Sequence, residues 1–348
     1  MEYLYQMKFF CIFLSLCCSF TNNTTTIGEG AQPRISRDTK GVIRVAYGQQ
    51  DKIFCATSSD DGSTFSAPML VADLPGMHLG MSRGPQIASS ANYSIITAMD
   101  KSGDICWYRL NKSTKAWEKM GTVNDLKGSA PEGLMGIAAD NNDNFYAVWL
   151  DLRKGKKNQI YFSTLSGNSR QWSANRLIYE SPDGHVCECC KPNVYAEGQK
   201  VAVMFRNWLG GSRDLYLLTS SNKGASFEKA QKLGEDTWAL NACPMDGGGV
   251  AIDKSGNIYT VWRRKSTVYF CKPGEKEISI AEGKTCSISL GPEPLISMQS
   301  GDTLRLIKPG HEAQTIVGTG SFLQSMRLQN NSTLCVWEQG GVVKYRKI

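Results

Sequence analysis

Pro33-Arg34-Ile35, Val42-Ile43-Arg44-Val45-Ala46-Tyr47 and Ile53-Phe54-Cys55-Ala56-Thr57 make one phrase: a short strand, a polar turn, a second strand ending in an aromatic, another turn and a third strand. Each run is apolar or alternating, rich in β-branched residues and bounded by turn formers, and none can bury its own faces alone. The phrase returns at 85–87, 93–98 and 105–110, at 135–139, 145–149 and 160–165, and at 192–195, 201–205 and 215–219. It returns again at 249–252, 258–262 and 268–271, more weakly at 286–290, 295–298 and 304–307, and finally at 325–328, 333–337 and 342–345. Stacking such units radially buries every face, so the repeat predicts an all-β, seven-bladed β-propeller. Six blades is the alternative count and a β-sandwich the alternative architecture. The last unit has no fourth strand before Ile348, and the segment 24–30 is expected to supply it and close the ring.

Composition agrees with this reading. The 348 residues are 41% hydrophobic and 20% charged, enough to build a core, and no run of 18 apolar residues is present to span a bilayer. The net charge of +7 is spread along the chain rather than gathered in runs, which tolerates an anionic ligand and gives no sign of nucleic-acid binding.

Lys8 precedes the apolar run Phe9-Phe10-Cys11-Ile12-Phe13-Leu14-Ser15-Leu16-Cys17-Cys18, the length of a signal-peptide core. Residues 1–21 are therefore expected to be an export signal and 22–348 a single mature domain, placed in the periplasm, on the cell surface or outside the cell. Leu14-Ser15-Leu16-Cys17 loosely matches a lipoprotein processing site, which would make Cys17 a lipid anchor. Of the 12 cysteines, Cys55, Cys106, Cys271 and Cys335 fall inside apolar strands, where a thiol acts as a small hydrophobe.

After the first unit's third strand stands Ser58-Ser59-Asp60-Asp61-Gly62-Ser63-Thr64-Phe65, with a looser copy, Ser220-Ser221-Asn222-Lys223-Gly224-Ala225-Ser226-Phe227, in the fourth unit. Both resemble the Asp-box of sialidase-superfamily, or BNR-repeat, propellers, and the likeness covers nearly all of 30–348. The phrases Cys187-Glu188-Cys189-Cys190-Lys191-Pro192 and Cys243-Pro244-Met245-Asp246-Gly247 resemble an exported bacterial subgroup labelled exo-α-sialidase by similarity. This resemblance implies a glycoside hydrolase acting on a terminal acidic sugar of an extracellular glycan.

Strands alternate direction within a blade, so the Asp-box turns belong to one face and the blade-to-blade connections to the other. Sialidases hold a carboxylate with three arginines, activate a Tyr with a Glu and use an Asp as acid/base, since guanidinium forks match carboxylates and an oxocarbenium-like transition state needs negative charge nearby. Arg34, in Pro33-Arg34-Ile35-Ser36, lies where the family's Arg-Ile-Pro phrase opens the first blade, with Ser36 in place of proline. Topology nominates Arg83, Arg206 and Arg263 as its partners and Glu132, Asp151 and Asp246 as carboxylates, while no Tyr can be assigned as nucleophile.

The remaining cysteines raise a separate question. Cys187, Cys189, Cys190, Cys243 and Cys286 are expected to meet near the channel mouth, either in disulfides bracing adjacent blades or, with His185 or His78 and Met81 or Met245, in a soft-metal site for copper or zinc. No other cofactor is expected. Three functions follow: an acidic-sugar glycosidase, a non-catalytic propeller that binds glycan or protein with Trp208 on its recognition surface, and a metal- or thiol-dependent propeller.

Overall fold

The computed structural model describes residues 24–348, so the expected export signal and the expected lipid anchor at Cys17 lie outside the described residues. Every regular element described is a strand, and no helix there is long and apolar enough to cross a membrane. Seven four-stranded antiparallel sheets form a β-propeller, which settles the blade count at seven and excludes the sandwich. Blade 1 runs outward through Ala31–Arg37, Ile43–Gln49, Lys52–Ser58 and Met69–Asp73. The innermost strands of blades 2 to 7 are Gln86–Ser89, Met135–Ala139, Asn193–Glu197, Gly249–Ile252, Lys284–Ser289 and Ser321–Arg327.

The ring closes as the repeat predicts. Thr25–Glu29 is the outermost strand of blade 7, with Thr25 opposite Tyr345 and Glu29 opposite Val342. The chain then turns at Gly30 into the innermost strand of blade 1. Gly30 has φ 148°, and a Cβ there would stand 2.5 Å from the Tyr47 ring and 2.6 Å from the Gly48 carbonyl, so no other residue fits without displacing Tyr47 or the backbone.

The core lies between blades. Ile43, Val45 and Tyr47 of blade 1 pack on Leu334, Val336 and Val343 of blade 7, and Ile95 and Trp107 of blade 2 on Phe145 and Trp149 of blade 3. Second strands are covered on both faces, which is why they read as continuous apolar runs. Trp149, Trp262 and Trp337, the aromatics late in three of those strands, are almost wholly buried.

Both Asp-boxes are turn clamps. Asp60 accepts from the Thr64 amide at 2.9 Å, the Thr64 hydroxyl at 2.6 Å and the Ser58 hydroxyl at 2.8 Å, and these donors pull its carboxyl down to about 2. Asn222 takes the same place in blade 4, accepting from the Ser226 amide at 2.9 Å. Gly62 and Gly224 each have φ 76°, and Phe65 and Phe227 set their edges against Tyr345 and Phe162 of the neighbouring blades.

Candidate functional site

The first residues of the innermost strands enclose a chamber of about 210 Å³ on the propeller axis. Its walls carry Arg34 from blade 1, Gln86 from blade 2, Lys191 and Asn193 from blade 4, Asp246 from the approach to blade 5 and Gln324 from blade 7. Below it, Ile35, Ile87, Ile137 and Val194 form an apolar collar that it shares with a second axial cavity of about 610 Å³, which reaches the ends of the same strands. Only a side chain on or just before an innermost strand reaches the axis, because each strand further out adds about 4.8 Å.

Arg34 and Lys191 dominate the chamber's electrostatics. Arg34 Nε donates to Gln86 Oε1 at 3.2 Å and Nη1 to the Pro33 carbonyl at 3.5 Å, while Nη2 has no hydrogen bond among the described residues. Burial pushes its guanidinium down to about 10, against the opposing pull of Glu338. Glu338 accepts the Gln32 amide at 2.6 Å, and its carboxyl is raised by burial. Lys191 Nζ donates to Asn193 Oδ1 at 2.9 Å; burial, and then the charge of Arg34, push its ammonium well below the usual lysine range. Neither cation has an acidic side chain within ion-pair distance among the described residues.

The seven residues nominated from the sequence separate into groups. Arg34 and Asp246 line the chamber. Asp246 is 3% exposed, and its oxygens accept from the Gly248 amide at 3.2 Å and the Thr285 amide at 2.9 Å. Arg83 and Glu132 pair beside the loops entering blades 2 and 3, with Arg83 Nε donating to the Glu132 carbonyl at 2.6 Å and the charged groups 3.9 Å apart. Asp151 is wholly buried, accepting from Ser129 Oγ at 2.8 Å, Trp149 Nε1 at 2.8 Å and Arg153 Nε at 2.9 Å. Arg206 is 1% exposed and joins blade 4 to blade 5, donating to the carbonyls of Asp246, Arg213 and Arg263. Arg263 sits behind Asp246, 3.9 Å from its carboxylate, and it and Arg206 both lie over the Trp238 ring. Arg83, Arg206 and Arg263 thus do not join Arg34 at the chamber wall. Arg206, Arg263 and Asp151 end second strands, one strand out from the axis. Lys191 is the charged chamber residue outside the nominated seven, and its signal is its place just before the innermost strand of blade 4.

A second constellation lies beside the chamber. Cys187, Cys189 and Cys190 are 0%, 6% and 1% exposed, and their sulfurs all lie within 4.8 Å of one another. Cys187 Sγ is 3.7 Å from Cys189 Sγ and 3.2 Å from Cys190 Sγ. Arg213 Nη1 donates to Cys187 Sγ at 3.0 Å, and Met245 packs against the three cysteines. Contact with the other two sulfurs, with Arg213 adding its charge, holds the Cys187 thiol below its ordinary range. Cys243 and His185, expected as ligands, stand outside the set: Cys243 is exposed, and His185 directs Nδ1 to the Val186 carbonyl and stacks on Trp208. All nine described cysteines are free thiols in the structure, which shows no blade-bracing disulfide, one of the two arrangements offered by the sequence, among the described residues. Three sulfurs this close make a set that a soft metal ion fits.

No protein-family model matches the chain, and no curated protein matches it in sequence. Solved structures are similar in fold. An ulvan lyase of polysaccharide lyase family PL25, bound to -[GlcA(1-4)Rha3S]-, superposes with TM-score 0.57 at 11% identity over 93% of this chain and 95% of its own. The SapL1 lectin in complex with alpha methyl fucoside gives TM-score 0.54 at 13% identity over 84% and 97%. Virginiamycin B lyase from Staphylococcus aureus gives 0.53 at 10% identity over 94% and 99%. At such identities the similarity carries the architecture alone, and that architecture is the β-propeller.

Proposed function

We propose that this chain is an exported, sialidase-like propeller that recognises the acidic group of an extracellular glycan in its axial chamber. Residues 1–21 act as its export signal and 22–348 as its single domain. One observation carries the reading: Arg34 and Lys191 bring a guanidinium and an amine into one polar chamber with no acidic side chain within ion-pair distance of either among the described residues. A charge withdrawn from water without a counter-ion is costly, and a carboxylate or sulfate that accepts from the Arg34 fork and the Lys191 ammonium offsets that cost. At about 210 Å³ the chamber is smaller than the roughly 300 Å³ at which pockets for drug-sized ligands begin, which suits one terminal acidic residue rather than a chain segment. The similar folds of an ulvan lyase holding a uronic-acid oligosaccharide and of a fucoside-binding lectin favour a glycan as the carrier of that group.

Binding is the activity the geometry supports best, because each oxygen of Asp246 already accepts from a backbone amide and no tyrosine among the described residues lines the chamber. Hydrolysis of a terminal acidic sugar is the second reading, favoured by Arg34 and Asp246 lining one chamber. A panel of sialic acid-, glucuronate- and neutral-terminated oligosaccharides, assayed for binding and for release of a fluorophore from an α-sialoside, separates the two. Saturable binding of acidic members without release is the expected result. Release that is lost in Asp246→Asn at unchanged affinity would establish hydrolysis, and equal binding of neutral members would remove the proposal.

A further inference from the structure

We infer that Cys187, Cys189 and Cys190, capped by Met245, form a trigonal thiolate site for a single Cu(I) ion. The inference does not depend on what the axial chamber binds. Three buried sulfurs lie within 4.8 Å of one another, and the residue packed against the three cysteines is Met245, which carries a thioether. The donor set is therefore all sulfur. Zinc sites of similar size commonly recruit imidazole or a fourth thiolate, but His185 is engaged with the Val186 carbonyl and Trp208, and Cys243 is exposed outside the trio. Thiolate and thioether donors without nitrogen or oxygen select Cu(I).

Charge favours the same ion. Binding of Cu(I) by three thiols releases their protons and leaves two net negative charges at the centre. Arg213, 3.0 Å from Cys187 Sγ, sets a positive charge against them, and its Nη1 also lies 3.5 Å from the Glu188 carboxylate. A disulfide inside the trio would leave the third sulfur buried and alone, whereas the ion engages all three. Met245 joins the two sites, lining the chamber while packing on the three cysteines. Met245 holds this place with φ 52°, a left-handed backbone unusual for a residue with a side chain.

The test is titration of the full chain, reduced and kept free of oxygen, with Cu(I) buffered by a bathocuproine chelator. The reference is the triple variant Cys187→Ser, Cys189→Ser, Cys190→Ser, which cancels binding by Cys11, Cys17, Cys18 and the other thiols. One more copper per chain than in the variant is expected. Should the triple variant fail to fold, X-ray absorption of copper-loaded native protein is expected to show a first shell of sulfur only. Met245→Leu, which conserves volume, is then expected to lower Cu(I) affinity on the order of tenfold with the fold intact. Native protein with its thiols fully reduced that takes up no more copper than the variant would overturn the inference. So would nitrogen or oxygen in the first shell, an unchanged affinity in Met245→Leu, or replacement of bound Cu(I) by equimolar Zn(II).

Discussion

Lys191 shows how a single side chain trades stability for binding. Its ammonium is pushed down by burial and by Arg34, so between that lowered value and about 10.4 the unfolded chain holds more protons and the empty protein gains stability as pH rises. Replacing it by methionine, of similar length and without charge, is expected to stabilise the empty protein at neutral pH by about 1 kcal/mol. The same change is expected to abolish binding of acidic glycans, and thermal melts alongside binding curves would show both effects. A lower melting temperature in Lys191→Met would mean that the lysine serves the fold. Because the neutral amine cannot pair with an anion, affinity in native protein should fall with rising pH earlier than an ordinary lysine dictates. Arg34→Ala should weaken the same binding on the order of tenfold or more, as loss of a charge-assisted donor does.

At the scale of the element, the two Asp-boxes are an internal comparison, since Asn222 forms the clamp that Asp60 forms without a titrating group. Asp60's carboxyl is lowered in the folded chain to about 2, so its contribution is present above its unfolded value near 4 and is lost as pH falls between the two. Asp60→Asn is expected to keep the turn and flatten that part of the acid-unfolding profile; an unchanged profile would show that the carboxylate adds nothing to stability. Trp149 represents the second-strand aromatics, and Trp149→Ala is expected to cost about 3–5 kcal/mol in denaturant unfolding. Part of that loss would come from Asp151, which gives up its indole donor. These elements were legible in the sequence because their signals are local: runs like 42–47 and 53–57 are apolar over one strand's length, and Gly62 and Gly224 mark turns needing positive φ. Which charged residues face the axis was not local. Arg206 and Arg263 share the upper face with Arg34 in sequence logic, yet each ends a second strand and spends its side chain on backbone carbonyls or on Asp246. Lys191 follows three cysteines in sequence, yet its place just before an innermost strand is what gives it access to the chamber.

For the whole molecule, closure by Thr25–Glu29 is what turns seven sheets into a ring. Deleting that strand uncovers the edge of Val342–Lys347 and the Ile27 contact with blade 7, and the free edge then invites pairing with other chains. Loss of a single cooperative melt and concentration-dependent association are expected; unaltered unfolding would show that the ring does not need this strand. A closed ring in turn holds Arg34, at one end of the circuit, opposite Lys191, near its middle, so the chamber depends on the entire fold. The central claim is that this chamber binds an anion. It is tested most directly by a crystal structure of the native protein soaked with a glucuronate-terminated disaccharide. The account predicts the carboxylate within hydrogen-bond distance of Arg34 and Lys191 Nζ, above the Ile35–Ile87–Ile137–Val194 collar. An ordered disaccharide seated in the lower cavity or on the outer surface, with the chamber holding only water, would contradict it.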